Sequence, residues 1–96
     1  MLQIAEPLSP RIPVCVLGHR PQFVESRGAP LNHKPGLPCP NQYHIECARC
    51  GIATVPHPSR AIAELRWSEP DSPHRIPLSQ IGQARTRAAA DYAYAA

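Results

Sequence analysis

Hydrophobic and polar positions alternate most cleanly over Gln42-Tyr-His-Ile-Glu-Cys47. Tyr43, Ile45 and Cys47 fall on one side of an extended chain and Gln42, His44 and Glu46 on the other. This period of two predicts a strand over Gln42–Ala48 with its second set of side chains facing solvent. Gln22–Ser26 reads as an earlier strand, and Ile52–Val55 as a third short β-branched run halted by Pro56 and Pro58. The period then changes. Ser59 can cap a helix over Arg60–Ser68, in which Ile62 and Leu65 share a face, as do Ala63 and Trp67. Glu69-Pro70 ends it, because a residue before proline is pushed out of the helical region. A second helix is expected over Gln80–Ala93 with Ser79 as its cap and an Arg87–Asp91 pair at i, i+4. Its face of Ile81, Ala84, Ala88 and Tyr92 is thin, which predicts weak docking: a helix partly frayed or packed on a partner chain.

The segments between these elements lack periodicity. Residues 1–13 carry Pro7, Pro10 and Pro13 and read as a flexible arm. Residues 27–41 form a Pro/Gly/Asn-rich loop insertion longer than a hairpin needs. Residues 70–78 read as a linker, leaving 14–69 as the folded domain and 79–96 as an Ala-rich C-terminal helix. The expected class is a small metal-dependent α+β fold: two to three short antiparallel strands, a short helix, and the C-terminal helix.

Composition explains why a metal enters the prediction. Leu, Ile, Val and Phe together number 19 of 96 residues, whereas 13 are Ala and 13 are Pro. A chain with so few large apolar groups needs a metal, disulfides or a partner to fold. Its first residues have neither a basic start nor a continuous apolar run, and no stretch approaches the roughly 18 apolar residues of a membrane span. The chain therefore reads as cytoplasmic, where paired thiols are expected as metal ligands rather than disulfides. A net charge of +3, with arginines scattered rather than clustered, permits nucleic-acid binding without indicating it.

Cys47-Ala-Arg-Cys50-Gly51 supplies two thiols two residues apart, with a glycine that can take the positive φ of a metal knuckle. Zinc wants four ligands. Cys15 and His19, with Gly18 between them, make a looser second knuckle, and 27 residues separate His19 from Cys47. Two knuckles at the tips of two hairpins are how a zinc ribbon is built, so the expected structural zinc ligands are Cys15, His19, Cys47 and Cys50. Three thiolates and one imidazole leave the site near −1, and Arg20 and Arg49 can soften that charge. The rival set replaces Cys15 and His19 with Cys39 plus His33 or His44. A catalytic zinc needs an open position and a base. Glu46 is expected to point outward, and neither a Ser/His/Asp arrangement nor a phosphate loop is present, so no enzyme is read here.

Three blocks resemble the restriction-alleviation (Lar-like) zinc-ribbon family of phages and prophages. Pro13–Glu25 is similar to its first Cys knuckle and following strand, Tyr43–Thr54 to its second strand and Glu-Cys-x-x-Cys-Gly knuckle, and Ser59–Trp67 to its short helix. The first knuckle departs by one extra residue and by His19 standing where the family has Cys. Aligning the helix on Ala61-Ile62 places Leu65 where the family has tryptophan, with Trp67 two residues late. The resemblance implies a phage- or prophage-type product, acting in the bacterial host cytoplasm, that blunts a host defence system by binding a protein component. Restriction alleviation or a similar inhibitor, such as an anti-CRISPR, is the implied role, with no membrane and no small-molecule substrate. The alternative is a nucleic-acid-binding zinc ribbon in transcription regulation, using Arg20, Arg27, Lys34, Arg49, Arg60 and Arg66. One tyrosine and one phenylalanine in the ribbon make a poor stacking platform for it.

Overall fold

Five antiparallel strands in simple sequential order form the sheet of this computed structural model, which describes residues 2–30, 33–69 and 71–93. The order is β1 (Leu2–Pro7), β2 (Gln22–Arg27), β3 (Gln42–Cys47), β4 (Ile52–Thr54), α1 (Arg60–Ser68), β5 (Arg75–Pro77), a 3-10 turn (Leu78–Gln80) and α2 (Ile81–Asp91). The class is α+β. The sheet exceeds the two to three strands expected because both supposedly unstructured flanks join it. Residues 2–7 of the predicted flexible arm pair with β2, Leu2 opposite Arg27 and Pro7 opposite Gln22. The predicted linker contributes β5, with Ile76 opposite Ala53.

Register decides which side chains share a face. Phe23 lies opposite Ile45 and Val24 opposite His44, while Cys47 pairs with Ile52 and Glu46 with Ala53. Phe23, Ile45 and Cys47 therefore share the first face, where α1 adds Ala63 and Trp67 to make the core. Ser59 accepts the Ile62 N–H at the start of α1, and the helix ends at Ser68, as its capping residue and Glu69-Pro70 predict. Its buried face is Ala63 and Trp67; Leu65 is 56% exposed, so the tryptophan two residues late is the one that packs. After β4 the chain passes Pro56 and pairs again at His57, whose backbone exchanges both hydrogen bonds with Tyr43.

The second face is covered as well, which corrects the solvent-facing reading of His44 and Glu46. His44 is fully buried and its Nε2 meets Glu46 Oε1 at 2.8 Å. The hydrogen bond with His44 holds the Glu46 carboxyl below its ordinary range; burial opposes this, and the His44 and Arg85 charges reinforce it. Gln42 donates from Nε2 to the Arg85 carbonyl, so α2 lies against this face. Gln42 Oε1, His44 Nδ1 and Arg85 Nε are buried without protein partners, a polar layer suited to bridging water. Helix α2 docks through Ala88 and Ala89, with Ala93 just beyond its end, each at most 3% exposed. Small side chains let its backbone approach closely, which supplies the contact the thin Ile81–Tyr92 face was not expected to give. Ser79 does not cap it: the 3-10 turn runs through that position, and Gln80, the N-cap, makes no side-chain capping bond. Among the described residues Arg87 and Asp91 form no ion pair.

Candidate metal centre

Cys47 closes β3 with its side chain on the core face, 1% exposed. The chain then turns through Ala48–Cys50, and Gly51 at φ +68° returns its N–H to the Cys47 carbonyl at 2.9 Å. A side chain at that φ would be strained, so glycine is what allows Cys50 to fold back beside Cys47. The Gly51 carbonyl in turn accepts from Leu78 N–H, anchoring this turn to the end of β5.

The other half of the site comes from the connection between β1 and β2. There Gly18 takes φ +89°, and His19 N–H bonds to the Val16 carbonyl at 2.9 Å, closing a tight turn that sets Cys15 and His19 side by side. Trp67 Nε1 donates to the Pro13 carbonyl at 2.8 Å. The core tryptophan of α1 thus tethers the first knuckle, while Leu8, Ile12 and Cys15 pack against the core from the same connection.

The two turns bring Cys15, His19, Cys47 and Cys50 together, with their donor atoms all within 4.8 Å of one another. His19 Nδ1 lies 3.2 Å from Cys50 Sγ and 3.6 Å from the sulfurs of Cys15 and Cys47. The Cys15 and Cys50 sulfurs are 3.4 Å apart, well beyond a disulfide, and all four cysteines are free. A tetrahedral ion with metal–sulfur bonds of about 2.3 Å and a metal–nitrogen bond of about 2.0 Å has donor–donor edges of roughly 3.5–3.8 Å. The observed spacings are close to those edges, so the residues fit a closed four-ligand metal ion. The electrostatics of the thiols are compatible with one as well. Cys50 is pushed up to about 11, first by its contact with Cys15, then by burial and by Cys47. Cys47 is lowered: burial pushes the other way, but the Cys50 backbone N–H and the neighbouring thiols prevail. Sulfurs this close cannot all ionise unless a cation sits among them. Arg20 and Arg49 border the two turns, together with Gly18 and Ala48.

The rival ligands are elsewhere. Cys39 Sγ points to the Gly28 carbonyl at 3.6 Å, with its thiol raised by burial, and His33 Nε2 contacts the Leu37 carbonyl at 3.3 Å. His44 is on the opposite sheet face with Glu46. Glu46 lies next to Cys47 in sequence but faces away from the cluster, and no described carboxylate belongs to it. The arrangement suits holding an ion closed within the fold.

No family model matches this chain, and neither a curated protein nor a solved structure matches it. No helix among the described residues is long and apolar enough to cross a membrane.

Proposed function

We propose that this chain is a small zinc-ribbon interaction module: a structural Zn2+ held by Cys15, His19, Cys47 and Cys50 fixes a domain that acts by binding a protein. The observation that carries the reading is the convergence of these four donors. Three sulfurs and one imidazole nitrogen in a closed set are the ligands of structural zinc, whereas magnesium and calcium select oxygen donors. Following the resemblance, the partner is a component of a host defence system, with restriction alleviation or a similar inhibition as the outcome.

The protein-binding reading is favoured over nucleic-acid binding by what the arginines do. Arg27 is paired with Glu25, and Arg60 is paired with Glu6 and lies over the Phe23 ring at 4.2 Å. Arg66 donates to the Val55 carbonyl. Two of the six basic side chains that a phosphate-binding face would need, Arg27 and Arg60, are thus already paired with carboxylates.

Two measurements test the proposal separately. Purified protein should carry about one zinc per chain by elemental analysis; a zinc-free folded chain overturns the metal reading. Expression of the chain in a restricting bacterial host should raise the plating efficiency of unmodified phage, and a Cys47→Ser variant should not. Unchanged plating with a zinc-loaded, folded protein removes the restriction reading and leaves the scaffold standing.

A further inference from the structure

A second cavity lies away from the four-residue cluster. It has a volume of about 410 Å³ and lies where α1, the chain leaving β4, the approach to β5 and α2 meet. It shares no residue with the four-ligand cluster. Its size falls within the range of small-molecule sites.

The lining is divided by chemistry. Val55, Pro56, Ile76, Ala84 and Ala88 supply an apolar surface. Against it stand two guanidiniums from different helices, Arg66 of α1 and Arg87 of α2, with Asp91 one turn beyond Arg87. Arg66 is held in place: its Nη1 donates to the Val55 carbonyl at 2.9 Å, which leaves the other face of the fork available. Arg87 and Asp91 have no ion-pair partner among the described residues, although helical spacing would let them pair with each other. The field here also acts on a neighbouring imidazole. His57, whose ring meets Tyr92 at 4.9 Å, is lowered by burial and then by the positive charges of Arg66 and His74.

An isolated exposed arginine is ordinarily a solvated one. Two arginines lining one partly apolar cavity from separate helices are a different matter, since an anion placed between them can be held by both. Counting the permanently charged lining groups, two guanidiniums against one carboxylate leave one positive charge. That matches a monoanion better than a dianionic phosphate. The apolar half calls for a flat or compact hydrocarbon body on the same molecule.

We infer that the cavity between α1 and α2 is a binding site for a small organic monocarboxylate, its carboxylate on Arg66 and Arg87 and its apolar body against Val55, Ile76 and Ala84. The site is independent of the zinc-ribbon reading and adds a small-molecule ligand to a chain whose sequence gave no sign of one.

The test is a titration of the metal-loaded full chain with benzoate, followed by backbone amide NMR shifts, with inorganic phosphate as a second arm. Benzoate is expected to bind saturably with a Kd on the order of 1 mM, typical of a ligand of so few atoms, with the shifts centred on residues 55, 76, 84 and 87. Inorganic phosphate is expected to bind several-fold more weakly, because it lacks the hydrocarbon body. Arg87→Gln alters an exposed, unpaired side chain and should leave the fold intact while weakening benzoate by about tenfold, the worth of a charged hydrogen bond. Arg66→Gln should weaken benzoate as well, with the amide spectrum checking the fold, since it also loses the bond to the Val55 carbonyl. The inference is overturned if benzoate gives no saturable shifts, if a folded Arg87→Gln binds it unchanged, or if phosphate binds as tightly as benzoate.

Discussion

Cys47 is asked to do two things at once, and it is the most buried of the cluster's cysteines. Its side chain is a fully buried member of the core beside Ile45 and Trp67, and its sulfur is one of the four donors. Replacing it with serine removes a donor and places a hydroxyl in an apolar pocket, each costing on the order of 1–3 kcal/mol before any metal is lost. Cys39 is the natural control, since its sulfur meets only the Gly28 carbonyl. We expect Cys47→Ser to lose both bound metal and helical circular dichroism, and Cys39→Ser to keep both; a Cys39→Ser protein without metal would move the site to the loop. His19→Cys should still bind, because its donor position is half-buried at the edge of the cluster and a thiolate is an equally suitable ligand. Elemental analysis of the three proteins side by side checks all of this.

At the scale of elements, α1 depends on how its first turn is satisfied. Ser59 accepts the Ile62 N–H, while its own N–H donates to His57 Nδ1 at 2.9 Å. Ser59→Ala should cost about 1 kcal/mol, read from denaturant unfolding. The imidazole adds a pH dependence. Burial and the Arg66 and His74 charges lower the folded-state His57 below its ordinary value of 6.5. Between those values the unfolded chain binds more protons, so this stabilisation is complete above about pH 6.5 and is lost as pH falls through the lower folded value. Asparagine keeps an acceptor and does not titrate. With saturating zinc, the unfolding midpoint of His57→Asn should therefore fall less between pH 7.5 and 6.0 than that of the unaltered chain; equal falls would dissociate His57 from the effect. Helix α2 gives the third test. Ala89 is fully buried, and Ala89→Leu should overpack the contact by about 1–3 kcal/mol, whereas a frayed helix would accept it freely. Elements with a strong period or a cap were legible in the sequence: β3 from its alternation, α1 from Ser59 and Glu69-Pro70, and the convergence of Cys15, His19, Cys47 and Cys50 from their spacing around Gly18 and Gly51. What escaped had weak local signals. Strand β1 buries none of its six residues and ends on Pro7, so it is held by the β2 ladder and the Arg60–Glu6 pair rather than by any apolar pattern of its own. Strand β5 is three residues long, too short to show a period. Burial of His44 and Glu46 could not be seen from β3, because it is imposed by a helix some forty residues later whose docking surface is alanine.

The whole molecule is closed by contacts far apart in sequence, and the metal donors are among the longest-range of them. The sheet is a meander of neighbouring pairings, which a chain can form and lose locally. The first knuckle is joined to the rest by the Trp67–Pro13 hydrogen bond, the packing of Leu8 and Ile12, and the donor set itself. Five buried side chains make up the first-face core, and one of them, Cys47, belongs to the four-residue cluster. Stability for a domain of this size is about 5–15 kcal/mol, and binding of a structural zinc is coupled to about 10–16 kcal/mol of folding energy. The two quantities are comparable, with the second centred higher, so the metal-free chain should lie on the unfolded side. Trp67 is the only tryptophan, it is 1% exposed, and it touches both the core and the first knuckle, which makes its fluorescence a direct reporter. Removing the metal with a strong chelator should shift that emission to the red and abolish far-ultraviolet helix signal in one transition, with both restored by added zinc. If the emission stays blue while elemental analysis shows the metal gone, the two helices and the sheet suffice alone. Folding and metal binding are then separate events, and the site would have to be explained by something other than support of the fold.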